Sequence, residues 1–182
     1  MTNLVFLSHS SRDAAFAQKV CSHLEGRGLS CWIAPRNIAP GERWGAALVD
    51  AIARASAMVV LVSSASNASH QVAREVERAV SRCVPLLPFL LEEVELSREL
   101  EFFLSSEQWL ESGSGGPERQ LPKLHEALLR LIGGVRLAQS EESTADREEA
   151  IRAFEEIAPD EWRVRPGSWL SRWLHGIFVD RS

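Results

Sequence analysis

No stretch of this 182-residue chain approaches the roughly 20 uninterrupted apolar residues that a membrane-spanning helix needs, so bilayer spanning is excluded for any segment of it. Nor does a charged and apolar leader precede the first strand pattern, and the protein is expected to be cytoplasmic. Cysteine is scarce. Cys21, Cys31 and Cys83 are odd in number, scattered and without metal-ligand spacing. That argues against a disulfide framework or a zinc site, and buried free thiols are the simpler reading. The net charge of -5, with signs mixed along the chain, leaves no basic face for a nucleic acid polymer. A phosphate-cradling Gly-x-x-x-x-Gly-Lys loop and a dinucleotide glycine fingerprint are both missing, which removes the commonest nucleotide-binding designs.

What is present is a core and a rhythm. Hydrophobic residues make up 45% of the chain, enough for one ordinary domain with an appendage. Strand patterns alternate with helical ones, which implies a parallel sheet covered on both faces. Leu4 to Leu7 reads as the first strand, followed by a polar turn, Ser8 to Asp13. Phe16, Ala17, Val20, Cys21 and Leu24 then recur at helical spacing up to the stop at Gly26 to Gly28. Leu29 to Ala34 is the second strand, and Pro35 to Glu42 a long loop punctuated by two prolines and a glycine. Trp44, Ala47, Leu48, Ala51, Ile52 and Ala55 mark one face of the next helix. Met58 to Ser63 forms the third strand. Val72, Val76, Ala79, Val80 and Cys83 define the buried side of the helix that follows.

Val84 to Leu91 reads as a fourth strand, but Pro85 and Pro88 interrupt it, so an edge position or a distorted segment is expected. Leu96 to Leu104 suggests a short irregular helix, and Gln108 to Leu110 a short last strand. A closing helix from about Leu121 should stop at Gly133-Gly134. The expected architecture is α/β, a flavodoxin-like three-layer fold with a five-stranded parallel sheet over residues 1–134. Residues 135–182 form a helical extension of unassigned role. Ala150, Ile151, Phe154 and Ile157 have helical spacing there, and 168–178 form a short amphipathic helix carrying Trp169 and Trp173. Packing on the main domain, partner docking, self-assembly or contact with a membrane surface are the uses open to it.

Such a topology hosts many functions, so the motifs must choose. A phosphate-accepting receiver needs an acidic cluster at strand ends, and here Asp13 alone lies near one. The most informative stretch is Asn67-Ala-Ser-His-Gln-Val-Ala-Arg-Glu-Val-Glu77, entered from the apolar run Ala57 to Ser64, a buried strand that ends in a serine-rich turn. It places Glu75 in the second turn of a helix behind the third strand, close to the crevice where parallel sheets bind ligands. At 100° per residue Glu75 sits at the margin of the apolar stripe, whereas Arg74, Glu77 and Arg78 point away from it. An arbitrary glutamate on a helix is a solvated acid. Context decides otherwise here.

Phe6-Leu-Ser-His-Ser-Ser-Arg-Asp13, Pro35 to Trp44, and Ser63 to Glu77 resemble, in order, the first box, the BB loop and the catalytic segment of the Toll/interleukin-1 receptor (TIR) domain family. The resemblance runs to about Gly134. It implies one of two functions. Many animal adaptor TIRs only scaffold signalling complexes, and an interaction module or a mimic that disrupts host signalling is the non-enzymatic alternative. Many bacterial, plant and axonal TIRs instead cleave NAD+ at the nicotinamide-ribose bond, using a glutamate in a segment similar to Val72-Ala-Arg-Glu-Val76. Glu75 falls on that glutamate. Nicotinamide leaves neutral, so a lone carboxylate suffices to stabilise a ribosyl cation and hold the ribose hydroxyls.

The bacterial NAD+-cleaving type therefore implies a hydrolase or cyclase with NAD+ as substrate, no further cofactor and no metal. Trp44 either stacks on the substrate or starts the apolar face of its helix. Ser8, His9 and Ser10 either line the nucleotide pocket or form a polar turn. Arg36 meets the pyrophosphate, a neighbouring subunit or only solvent. Ser64 shapes the ribose site or merely a turn. The resemblance also implies activation by self-association through the BB loop, downstream of a sensor or an activating ligand, in a setting such as anti-phage defence.

Overall fold

A computed structural model describes residues 3–39, 41, 43–105, 107–112 and 115–141, with the backbone alone for 134–141. The chain divides into two compact units, Met1–Ile132 and Gly133–Ser182. The sheet lies in the first. Its strands are β1 (Leu4–Ser8), β2 (Ser30–Trp32), β3 (Ala57–Val62), β4 (Leu86–Leu90) and β5 (Leu110–Glu111). All pair in parallel in the order β2-β1-β3-β4-β5. The helices are α1 (Ala14–Glu25), α2 (Trp44–Arg54), α3 (Ser64–Asn67), α4 (His70–Ser81), α5 (Arg98–Leu104) and α6 (Leu121–Glu141). This is the flavodoxin-like α/β fold that the alternating patterns imply.

Side-chain alternation along the strands builds two cores, one on each face of the sheet. Val5 and Leu7 of β1, with Val59 and Leu61 of β3, pack against α1 and α6. Phe6, Met58, Val60 and Val62 point the other way, onto α2, α4 and α5. Phe6 stacks on Trp32 with ring centroids 4.9 Å apart, so β1 and β2 are joined by an aromatic pair as well as by their ladder. β3 is buried along its whole length, and its unbroken apolar run is the signature of a central parallel strand.

Several expectations need correction. β4 is an interior strand, between β3 and β5, and pairs with β3 along all five residues. Pro88 is tolerated because amides alternate sides along a strand. The Leu91 amide bonds the Val62 carbonyl on the β3 side, so position 88 has its nitrogen towards β5, whose pairing begins only at Phe89. The helix after β3 ends at Ser81, with the Val84 amide on the Ala79 carbonyl, and Cys83 takes a left-handed conformation (φ 53°). Cys83 is thus exposed rather than buried, and Val80 is 38% exposed; Cys21 and Cys31 are buried free thiols.

The helix α6 runs through Gly133-Gly134 to Glu141. Two glycines cost about 1 kcal/mol each relative to alanine, yet end a helix only where the chain turns left-handed, and Val-Arg-Leu-Ala-Gln follows them. The serine-rich turn after β3 is itself the short helix α3. Ser63 caps it reciprocally with Ser66, whose amide bonds the Ser63 hydroxyl at 3.1 Å while the Ser63 amide bonds the Ser66 hydroxyl at 2.8 Å. Ser69 caps α4 by accepting from the Val72 amide. The expected helices around Ala150 to Ile157 and over 168–178 lie outside the described residues.

Candidate active site

The strand order reverses direction between β1 and β3, and in open parallel sheets that switch point is where ligands bind, beyond the carboxyl ends of the strands. Ser8 is the last residue of β1 and has the parity of Phe6, which turns its side chain towards the α4 layer. Its hydroxyl donates to Glu75 Oε2 at 2.6 Å. The other carboxylate oxygen, Oε1, accepts from Gln71 Nε2 at 3.0 Å, one helical turn earlier on α4. Ser8 is fully buried and Glu75 only 8% exposed. The carboxylate is therefore fixed at both oxygens while two of its roughly four acceptor positions remain for other groups.

Burial pushes the Glu75 carboxyl above its ordinary value, and the bonds from Ser8 and Gln71 oppose that rise. A 2.6 Å O–H···O⁻ bond lies in the charge-assisted range, worth about 1.5–3 kcal/mol. Those donors favour the ionised form against the burial that raises the pKa.

The other face of the switch point carries a second cluster. Ser63 directly follows β3 with the opposite parity to Val62, and its hydroxyl donates to Asp13 Oδ2 at 2.7 Å. Asp13 closes the short 3-10 turn Ser11–Asp13, which Ser10 caps by accepting from the Arg12 amide. His9 lies between the two clusters in sequence, half-buried, with Nδ1 3.4 Å from the Leu7 carbonyl. Burial lowers its pKa, while the Leu7 carbonyl and Asp13 oppose that shift, so the ring is neutral at pH 7.

The structure brings Ser8 and Glu75 into direct contact, while Ser64 and Arg36 bond other partners. Ser64 donates from its amide and hydroxyl to Glu92 Oε1, at 2.6 and 2.5 Å. Arg36 forms a bidentate pair with Glu25, at 3.1 and 2.6 Å, and donates also to the Cys31 carbonyl and to Asn37. Trp44 begins α2 and is 48% exposed. A concavity of about 370 Å3 lies along Trp32, Asn37, Ala47, Asp50, Ala53 and Arg54. It includes none of the candidate residues, and the hydrogen-bonded carboxylate is the better guide to chemistry. Sequence reasoning passed over Gln71, Ser63 and Ser66. For Gln71 a signal existed, because a glutamine four residues before a helical acid is placed to bond it.

Residues 5–127 match a family model described as TIR domain. No curated protein matches the sequence. Among solved structures, the chain is similar to the TIR domain of the Toll-related receptor TRR-2 from Hydra magnipapillata, with 19% identity and a TM-score of 0.59 over 70% of this chain and 96% of that one. It is similar also to a metazoan TIR-STING receptor from C. gigas in complex with 2',3'-cGAMP, at 24% identity and a TM-score of 0.54. There the match covers 68% of this chain but 38% of the receptor. A third likeness is to the Clostridium botulinum CMP N-glycosidase BcmB, at 15% identity and a TM-score of 0.50, covering 66% of this chain and 97% of that one. At these identities the likenesses speak for the fold.

Proposed function

The chain belongs to the TIR domain family, and from that premise we propose that it is an NAD+ nucleosidase with Glu75 as its catalytic carboxylate. The observation that carries this reading is Glu75 itself, buried at the switch point and held at both oxygens by Ser8 and Gln71. A scaffold has no use for a desolvated carboxylate at that place, since burying one costs several kcal/mol before its partners are counted. The likeness to a protein named as a CMP N-glycosidase supports the same direction, because both reactions break a bond between a ribose carbon and a ring nitrogen.

In the proposed reaction the C1′–N bond breaks and its electron pair passes to the nicotinamide nitrogen, which neutralises the pyridinium. The departing ring takes no proton. The ribosyl cation left behind is stabilised by the Glu75 carboxylate, whose remaining acceptor positions hold the ribose hydroxyls. Attack by water gives ADP-ribose and releases a proton. Attack by a nitrogen of the substrate's own adenine gives a cyclic isomer. In this reading His9, Ser10, Ser64 and Trp44 contact the rest of the dinucleotide, with Ser64 exchanging its bond to Glu92 for the substrate, and Pro35 to Trp44 is the self-association loop. NAD+ depletion, or release of a nucleotide signal, fits a bacterial anti-phage role.

The test is NAD+ turnover by the full chain at high concentration, with assembly followed by light scattering and products resolved by chromatography. Loss of NAD+ with wild type and not with Glu75→Gln is expected. No turnover by protein shown to be assembled would overturn the enzymatic reading in favour of an interaction module.

A further inference from the structure

Water attack on the ribosyl cation releases a proton, and that proton needs an acceptor. Glu75 is already engaged: Ser8 and Gln71 bond its two oxygens, and its remaining acceptor positions are those given to the ribose hydroxyls. A second base stands beside it. His9 directly follows Ser8, so its α-carbon is about 3.8 Å from that of the residue whose hydroxyl holds the carboxylate. Its Nδ1 lies 3.4 Å from the Leu7 carbonyl oxygen. A carbonyl only accepts, so Nδ1 carries the ring proton and Nε2 the lone pair.

Among the described residues His9 Nε2 bonds no group, and the imidazole nitrogens sealed from solvent without a partner belong to His23 and His125. The His9 lone pair is therefore open to whatever enters the crevice. Burial keeps the ring neutral, while Asp13 favours the cation that proton uptake makes. The turn also gives the ring a fixed place. On one side Ser8 is tied to Glu75; on the other, Ser10 caps the 3-10 turn and Asp13 is tied to Ser63 at the end of β3. A base held between two anchored neighbours has the preorganisation that proton transfer requires.

We infer that His9 is a further catalytic residue, the base that takes the proton of the attacking water and so commits the ribosyl cation to the linear product. This rests on the NAD+ nucleosidase reading and names what decides its product. In the step, the water oxygen bonds C1′, one of its O–H bonds breaks, and the proton passes to His9 Nε2. The imidazolium then returns it to solvent; nothing is oxidised or reduced. Attack by an adenine nitrogen needs no such help, since its lone pair bonds C1′ with no N–H bond breaking in that step. With the base in place water competes well; without it, nitrogen nucleophiles win.

The test is the product distribution from NAD+ with the full chain at high concentration, neutral pyridine being added as a competing nucleophile that, like the adenine nitrogen, has no proton to lose. Wild type should give chiefly ADP-ribose. In His9→Gln, checked for native circular dichroism, the ratio of ADP-ribose to the cyclic isomer and to the pyridine-exchanged dinucleotide should fall at least about tenfold, however far total turnover falls. A second readout needs no turnover: nitrogen NMR of histidine-labelled wild type should show His9 as the neutral Nδ1–H tautomer at pH 7. An unchanged ratio, all products falling together, a wild type that makes chiefly the cyclic isomer, or a His9 protonated on Nε2 would overturn this inference and leave the nucleosidase reading standing. Absence of NAD+ loss by assembled wild type would overturn both.

Discussion

The crevice at the ends of β1 and β3 and the loop from Pro35 to Trp44 both carry polar candidates, and they use them in opposite ways. In the crevice, Ser8 and Gln71 spend their hydrogen bonds on a carboxylate that keeps acceptor capacity in reserve. In the loop, the Arg36 guanidinium is consumed by Glu25, the Cys31 carbonyl and Asn37, while Asn37 Oδ1 also accepts from the Ile33 amide at 3.0 Å. One region keeps acceptor capacity free of internal partners; the other uses its donors to hold its own shape. Burial with spare acceptor positions marks a reactive group more reliably than charge in an exposed loop.

The comparison breaks most sharply at Glu75. Replacement by glutamine keeps the shape and removes the charge, and NAD+ turnover is expected to fall by about 10²–10³ in kcat, the scale of losing one preorganised electrostatic group. Stability should move the other way. Because the folded carboxyl titrates above its ordinary value, the folded state binds more protons than the unfolded one between the two values, so ionisation costs stability as pH rises through that window. Glu75→Gln should therefore melt higher than wild type at neutral pH, and the gap should close as pH falls below the ordinary glutamate range. Equal melting temperatures at neutral pH would place Glu75 in a well-solvated site.

Ser8→Ala removes the shortest bond to the carboxylate. The bond favours the ionised form, so its loss should move the acid limb of the kcat/KM profile to higher pH and cost about ten- to hundredfold at neutral pH, matching about 1.5–3 kcal/mol. Gln71→Leu should do the same more weakly, about tenfold or less, because the bond is longer. A fall in rate with an unmoved acid limb would mean that these side chains only fill space.

The β1 serine was legible in sequence because position fixes it: a polar residue ending an apolar strand stands at the crevice whatever its neighbours are. Glu75 was legible through its helical angle and motif, although its burial was deeper than a margin position implies. Register and long-range pairing were not legible. Nothing local tells that Ser63 reaches Asp13, 50 residues earlier, or that Ser64 meets Glu92, 28 residues later. Pro88 misled for a related reason, since a proline argues against an interior strand only when its nitrogen faces a paired neighbour, and which side it faces depends on the ladder.

Arg36 offers the smallest and most discriminating effect. If its role is to brace the loop against α1, removing either partner should cost the same, and a double-mutant cycle of Arg36→Ala and Glu25→Ala should recover the coupling. The side chains are 32% and 40% exposed, so solvent screens the pair and about 0.5–1 kcal/mol is the expected coupling, a few degrees or less in melting temperature. KM for NAD+ should then change equally in Arg36→Ala and Glu25→Ala, since both free the same loop. A KM that rises for Arg36→Ala alone, with Glu25→Ala unchanged, would move Arg36 from the brace to the substrate, because only contact with an anionic ligand separates the guanidinium from the carboxylate that holds it.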